Sequence, residues 1–277
     1  MDPDGLAPNP ADGSHYDLSN DFYASFLDPS MTYSCAYFAS GEESLEEAQM
    51  AKNDLAFRKL GLGRGQRILD VGCGWGAAAA RAVELYGARA VGLTLSRNQY
   101  EYAVRRIRPG MDLEYRLQGW ETYQAPFERI VSIGAFEHFT APKYPAFFSR
   151  CHEMLTDDGL LLLHTITVGK PSRSFALLRF GYFVRSEIFA GGELPRPEQV
   201  LGEARLAGFE LLHAESLRPH YGRTIDLWLA NLEARREQAV QAVGPAVLAR
   251  FLLYLQGAQR YHAGGETDVY QFLFRRT

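Results

Sequence analysis

Residues 66–77, Gln-Arg-Ile-Leu-Asp-Val-Gly-Cys-Gly-Trp-Gly-Ala, constrain the fold of this chain more than any other stretch. A short apolar run that carries Asp70 gives way to the alternating glycines Gly72, Gly74 and Gly76, and an alanine-rich stretch follows. The pattern is strand, tight turn, helix, and such a turn is where an α/β sheet binds its cofactor. Gly72 and Gly74 let the backbone bend without a Cβ clash and let a ligand lie against bare main chain. The amides of the next helix's first turn face that ligand.

Two cofactor classes use a turn of this kind. Gly72, Gly74 and Ala77 also satisfy the dinucleotide pattern G-x-G-x-x-G/A, so the glycines alone are a weak signal. A doubly anionic pyrophosphate would sit badly beside Asp70, and a nicotinamide enzyme needs an acid about 20 residues further on for its ribose. Residues 90–96, Ala-Val-Gly-Leu-Thr-Leu-Ser, hold none. An acid beside the glycines suits a ligand with a cationic amino-acid portion, such as S-adenosylmethionine. The bland alternative is a glycine turn that only packs a helix on a sheet.

A length of 277 residues fits one elaborated α/β unit, and an apolar share of 47% is ample for its core. The net charge of −4 argues against a general nucleic-acid binder. No uninterrupted apolar run approaches the length of a bilayer span. Met1-Asp2-Pro3-Asp4-Gly5 lacks the basic start of a secretion signal. Cys35, Cys73 and Cys151 make no disulfide framework, so the expected setting is reducing and cytoplasmic.

Residues 1–14 are rich in Pro, Gly, Asp and Asn and are expected to form a flexible tail, with residues 15–277 as a single domain. Residues 15–60 read as a helical cover. Its first part is dense in aromatics, and Tyr16, Tyr33 and Tyr37 carry hydroxyls that want partners, so a lid over the cofactor is expected as well. Ser44-x-x-Glu47 is a capping box starting a helix with Leu45, Ala48, Ala51 and Leu55 on one face.

Strands are predicted at 68–71, 88–94, 113–117, 129–133 and 160–166, with helices at 75–86, 96–107 and 142–155 between them. Thr156-Asp157-Asp158-Gly159 reads as a turn, and the four leucines after it mark a strand covered on both faces. Strands at 209–217 and 268–274 complete a doubly wound, seven-stranded Rossmann-like α/β sheet. Two insertions, 168–207 and 219–263, belong at the carboxyl end of that sheet as lids. The first is heavily apolar from Phe175 to Phe183, with Arg173, Arg179 and Arg185 around it.

Glu137 follows strand four, His164 ends strand five and Tyr221 opens the second insertion. Each alone has a structural explanation, as cap, core-edge residue or packed ring; their convergence on one rim is what points to chemistry. His138, one step past Glu137, is expected to turn away. The histidines and cysteines lack metal-ligand spacing, so no metal is expected, and no G-x-S-x-G turn is present.

Seven blocks together resemble the cyclopropane-fatty-acid and mycolic acid cyclopropane synthases. They are His15-Tyr16-Asp17-Leu18-Ser19, residues 33–38 (Tyr-Ser-Cys-Ala-Tyr-Phe), the glycine turn, residues 92–96, residues 132–139 (Ser-Ile-Gly-Ala-Phe-Glu-His-Phe), residues 163–167 and Pro219-His220-Tyr221. The likeness runs from His15 almost to the C-terminus, and the chain is expected to be of the mycobacterial type rather than the phospholipid-modifying type, which carries an extra N-terminal domain.

The resemblance implies a class I methyltransferase in which S-adenosylmethionine delivers its methyl to a carbon–carbon double bond. An alkene is a feeble nucleophile, so the pocket must be dry and the methyl aligned. The resulting carbocation needs electron-rich neighbours, and a bound bicarbonate then takes a proton, leaving a cyclopropane or a methyl branch. By correspondence the bicarbonate cradle is Cys35 (backbone amide), Glu137, His164, Ile166 (backbone) and Tyr221. Cofactor contacts carry over to Tyr16, Tyr33, Ser34, Asp70, Gly72, Cys73, Gly74, Trp75, Gly76, Thr94, Leu95, Gln99, Trp120 and Glu121, with Gln99 on the ribose.

The implied substrate is an unsaturated lipid-like acyl chain carried on acyl carrier protein, with no nucleic acid and at most peripheral membrane contact through residues 175–183. Ala258 stands where the mycobacterial enzymes carry a cysteine in their last helix, and the first insertion reads as shorter than theirs. A shorter lid leaves open a secondary-metabolite C-methyltransferase acting on a polyketide or terpenoid, and a catalytically silent S-adenosylmethionine-binding module is the further alternative.

Overall fold

Alanine decides how closely the first crossover helix approaches the sheet. The computed structural model describes residues 18–170, 174–189 and 191–277. The expected tail at 1–14 and the expected contact Tyr16 lie outside them. α1 (Asn20–Ala24) and α2 (Leu45–Lys59) precede β1 (Arg67–Val71), and α3 (Ala77–Tyr86) follows the glycine turn. Ala78, Ala79 and Ala82 of α3 are buried with Ile68 and Ala90, and such small side chains let the N-terminus of α3 come up against the end of β1.

The chain continues through β2 (Arg89–Thr94), α4 (Arg97–Arg105), β3 (Leu113–Leu117), β4 (Phe127–Ile133), α5 (Tyr144–Met154) and β5 (Leu155–Val168). Next come α6 (Phe175–Phe183), α7 (Pro197–Leu206), β6 (Phe209–Ser216), α8 (Arg218–Ala234), α9 (Arg236–Gly264) and β7 (Thr267–Arg276). The strand order is β3-β2-β1-β4-β5-β7-β6, parallel except for β7, which runs antiparallel to both β5 and β6. The order reverses between β1 and β4, so a crevice opens where Asp70 and Gly72 end one strand and Gly134 ends the other.

Three apolar cores flank the sheet. Phe136, Phe147, Phe148 and Met154 fill one face, and the alanines of α3 with Phe57 and Leu60 fill the other. The third lies above the carboxyl edge, where Phe22, Tyr23, Phe26, Trp228, Phe251 and Tyr254 pack the N-terminal cover against α8 and α9. Edge-to-face pairs such as Phe22 with Phe251 at 5.0 Å hold the cover down.

The structure departs from expectation in α2 and at the start of β5. The capping box is present, with the Glu47 amide donating to Ser44 Oγ and the Ser44 amide to Glu47 Oε2. Yet the buried residues of α2 are Leu45, Ala48, Gln49, Lys52, Asn53, Ala56 and Phe57, while Ala51 and Leu55 are only half-buried. Following the aliphatic residues turned the helix away from its polar interior. In the other place, residues 156–159 are looped out within β5 rather than forming a turn ahead of it. Leu155 pairs with Phe127 and Leu160 with Arg129, and Asp158 takes a φ of 59°.

By length and composition α9, at 29 residues, is long and apolar enough to cross a membrane. Gly244, at φ 78° and ψ 161°, breaks it ahead of Pro245, and Phe251, Tyr254, Leu255 and Tyr261 face the core.

Candidate active site

The turn after β1 is held open by glycine at each alternate position, for different reasons. Gly72, Gly74 and Gly76 have φ of 79°, 56° and 91°. A Cβ on Gly72 would overlap the Ala135 side chain, and one on Gly76 would overlap the Tyr115 ring. Nothing lies within 4 Å of the Cβ position of Gly74, which faces open space. The Gly72 and Cys73 amides donate to Leu93 O at 3.0 and 2.8 Å and tie the turn to β2.

Two adjoining clefts meet at this turn and share Gly72, Gly74, Gln99 and Gly134. The first, of about 500 Å³, is lined by Tyr33, Ser34, Asp70, Cys73 and Trp75. The second, of about 910 Å³, is lined by Thr94, Leu95, Trp120 and Glu121. Every expected cofactor contact among the described residues thus borders one cleft or the other except Gly76, which packs beneath the Tyr115 ring and accepts that residue's hydroxyl at 2.8 Å. Thr94 Oγ1 donates to Gln99 Oε1 at 2.9 Å, which leaves the Gln99 amide hydrogens for a ligand hydroxyl. Trp75 Nε1 donates to Asn20 Oδ1 at 2.7 Å, and Asn98 Nδ2 donates to the same oxygen at 3.0 Å. That asparagine, with the Tyr23 ring packed 4.8 Å from Trp75, fastens the cover to the glycine turn, and sequence reasoning did not single it out.

His138 lines the second cleft instead of turning away. Residues 136–138 form a 3₁₀ turn, in which successive side chains stand about 120° apart rather than on opposite faces. Burial pushes its imidazole down to about 4.

The same 3₁₀ turn carries Glu137 inward. Its Oε1 accepts the Ile166 amide at 2.6 Å, and its Oε2 is buried with no hydrogen-bond partner among the described residues. Burial pushes this carboxyl up to about 7, against the Ile166 amide and, more weakly, the Thr165 hydroxyl, which favour the charged form. His164 sits opposite Ile133 in the β4–β5 ladder, two residues from Ile166. Lys59 Nζ donates to Gln271 Oε1 at 2.7 Å, so the Gln271 amide nitrogen is the group 3.3 Å from His164 Nδ1 and donates to it. That network selects the neutral tautomer with hydrogen on Nε2, and burial beside Lys52 and Lys59 holds the ring well below its ordinary range.

Tyr221 is buried in the first turn of α8, edge-on to His262 at 4.6 Å. Burial raises its hydroxyl well above the usual range, with Tyr254, Cys35 and Glu137 close enough to add to the effect. It therefore stays a donor. Cys35 is buried too, and its thiol, pushed up by burial, donates to Ala36 O at 3.2 Å. That leaves the backbone amide, not the sulfur, as the group Cys35 can offer.

Sequence reasoning missed Tyr254. Its hydroxyl lies beside those of Tyr33 and Tyr221 and within reach of the Glu137 charge, and burial pushes it up to about 12. Its ring packs edge-on to Phe189 at 5.3 Å. The available signal was a hydroxyl inside the run Leu252-Leu253-Tyr254-Leu255, where a buried polar atom wants a partner. Ala258, on the next turn of α9, is half-buried beneath the same aromatic cluster.

A sheet of this order with an antiparallel seventh strand, carrying an acid and a glycine turn at its switch point, defines a class I S-adenosylmethionine-dependent methyltransferase. Within that class the chain belongs to the family described as mycolic acid cyclopropane synthetase, whose model matches residues 9–272. It is 47% identical over 282 residues to cyclopropane mycolic acid synthase 1 of Mycobacterium tuberculosis, covering 98% of each chain. It is 42% identical to the S-adenosylmethionine-dependent methyltransferase UmaA of the same organism, over 94% of each. The crystal structure of mycolic acid cyclopropane synthase CmaA1 complexed with SAH and CTAB superposes with a TM-score of 0.94 at 45% identity, covering 99% of this chain and 100% of that one. Coclaurine N-methyltransferase, at 23% identity and a TM-score of 0.80, shares the fold alone.

Proposed function

We propose that this enzyme methylates a carbon–carbon double bond of an unsaturated acyl chain presented on an acyl carrier protein, and that a bicarbonate held in the Glu137 cradle serves as base. The observation that carries this reading is the partnerless Glu137 Oε2, buried beside donors that have no acid–base task elsewhere. The donor set suits an anion bearing one hydroxyl. His164 Nε2–H, the Tyr221 hydroxyl and the Cys35 amide would donate to its oxygens, and Glu137 Oε2 would accept its hydroxyl hydrogen. The Ile166 amide already donates to Glu137 Oε1, so its part is to orient the carboxylate.

Bound S-adenosylmethionine supplies an electrophilic methyl, and the chain's residues do the rest. The glycine turn and Asp70 seat the cofactor, and Gln99 fixes its ribose. Tyr33, Trp228, Phe251 and Tyr254 exclude water above the cradle and offer ring faces to positive charge on the substrate. Glu137 and Tyr221 fix where the proton leaves. That CmaA1 was solved with SAH supports the cofactor assignment, and the names of the mycobacterial relatives support the acyl substrate. Arg179 and Arg185, exposed beside Phe175 and Leu178, support an acidic carrier at the first insertion. Three free, buried cysteines support a reducing cytoplasmic setting.

The test is incubation of the purified protein with methyl-labelled S-adenosylmethionine and unsaturated acyl-carrier-protein substrates. The expected product is an acyl chain heavier by one CH₂, and proton NMR distinguishes a cyclopropane ring from a branched alkene. Absence of label from the acyl chain while the cofactor still binds would end the proposal.

A further inference from the structure

The buried face of α2 carries three polar side chains among apolar ones. Gln49, Lys52 and Asn53 are 0%, 1% and 3% exposed, and a lysine so placed is expensive unless an anion meets it. Lys52 Nζ donates to Ser34 Oγ at 3.1 Å, and among the described residues no carboxylate forms an ion pair with it. The same cleft is lined by Asp70, 2% exposed, whose Oδ2 has no hydrogen-bond partner among the described residues. Asn53 Oδ1 and Gln49 Oε1 are also buried without a donor. The first cleft is therefore walled by a cation with hydrogens to spare on one side and a carboxylate oxygen awaiting a donor on the other.

We infer that Lys52 and Asp70 together form a receptor for the α-amino-acid zwitterion of S-adenosylmethionine. Lys52, directly and through the Ser34 hydroxyl it orients, takes the carboxylate; the free Oδ2 of Asp70 takes the ammonium. The inference rests on the cofactor reading of this cleft and adds a residue to it. Burial is the main influence on both groups. It pulls Lys52 down to about 8, opposed by Asp28, Cys35 and Asp70, and pushes Asp70 up to about 7, opposed by Lys52 and the Ala79 amide. Each is held largely out of water with the other as a nearby counter-charge, and among the described residues neither forms a direct ion pair that would use up its hydrogen-bonding capacity.

The competing reading makes Lys52 a strut. Gln49 Nε2 already braces the same segment, donating to Ser34 O at 2.7 Å and Thr32 O at 3.3 Å, and Lys52 would merely add to that. A strut affects every ligand of the cleft alike, whereas a receptor discriminates by charge.

Calorimetric titration separates the two readings. The probes are S-adenosylhomocysteine, its decarboxylated and deaminated analogues, and methylthioadenosine, which lacks both charges. In Lys52→Met, affinity for S-adenosylhomocysteine and for the deaminated analogue should fall about 10- to 100-fold, while the other two probes change less than about threefold. Asp70→Asn should show the mirror image, losing the ligands that keep the ammonium. Equal weakening of all four probes in Lys52→Met, or no weakening, overturns the inference. Should that variant not fold, the wild type decides: it must prefer S-adenosylhomocysteine to the decarboxylated analogue by at least about tenfold. If no adenosyl probe binds the wild type, the cofactor reading fails instead, which is a different result.

Discussion

The cofactor side and the acceptor side of this active site are built from different materials. The proposed cofactor side is built from one contiguous turn and the ends of adjacent parallel strands, and much of it is main chain: the left-handed glycines, the start of α3, and the amides of Gly72 and Cys73, which hold the turn to β2. The acceptor side is assembled from side chains that the sequence scatters, with Glu137 after β4, His164 on β5, Tyr221 on α8 and Tyr254 on α9. Most of those groups are buried, hydrogen-bonded through only some of their atoms, and shifted in acidity. A backbone site is damaged chiefly by shape and a side-chain site chiefly by charge, so the two halves should fail in distinguishable ways.

The largest effect is expected where charge is removed with shape preserved. Glu137→Gln keeps an acceptor for the Ile166 amide and replaces the partnerless Oε2 with an amide nitrogen. Turnover should fall about 10³-fold, within the range for loss of a proton-handling group. Affinity for S-adenosylhomocysteine should stay within about threefold of wild type, because the glycine turn is untouched. Single-turnover methyl transfer and calorimetry measure the two quantities. A parallel loss of affinity would mean that the halves are not separable.

The converse experiment adds a methyl group to the turn. Gly72→Ala forces a side chain to a φ of 79° and into Ala135, so it should destabilise the fold by about 2–4 kcal/mol and abolish cofactor binding with it. Gly74→Ala meets no atom within 4 Å, so its folding cost should be limited to about 1–2 kcal/mol for a left-handed residue. Its methyl protrudes toward the ligand, so binding should still weaken about tenfold. Thermal unfolding and calorimetry on the pair separate a glycine required by packing from one required by the ligand.

These differences also explain what could be read from the sequence. The glycine turn and the alternation of strands and helices were legible because each demands particular residue types at adjacent positions, and the sheet follows from that alternation. Glu137, His164 and Tyr221 could be brought to one rim from topology, but their roles came from the family resemblance. Lys52 was hidden because aliphatic periodicity tracked Ala51 and Leu55, while α2 buries Gln49, Lys52 and Asn53 among its apolar residues. Tyr254 was hidden in a leucine run and Gln271 in an ordinary strand alternation, since a hydrogen bond across 107 residues leaves no local pattern. His138 was misplaced because strand geometry was carried one residue too far, into a 3₁₀ turn.

The smallest effect concerns stability, and it sets Glu137 against the rest of its own half. A carboxyl whose acidity in the folded state lies near 7, against an ordinary 4.5, binds its proton more tightly folded than unfolded. Between those values the unfolded chain ionises first, so folding loses stability as pH rises from about 4.5 to 7, and above 7 the loss is complete. The loss is at most about 3 kcal/mol, since each tenfold difference in proton affinity is worth about 1.4 kcal/mol. Glu137→Gln cannot ionise and escapes this loss, so its stability relative to wild type should improve by about 1–3 kcal/mol between pH 4 and pH 8, whatever constant offset the amide introduces. Asp70 titrates over a similar range but is common to both proteins and cancels. Urea unfolding of both proteins at the two pH values supplies the comparison. A relative stability that does not change with pH would mean that Glu137 is already hydrated or paired in the free enzyme, and the account of a desolvated carboxyl waiting for its partner would have to be given up.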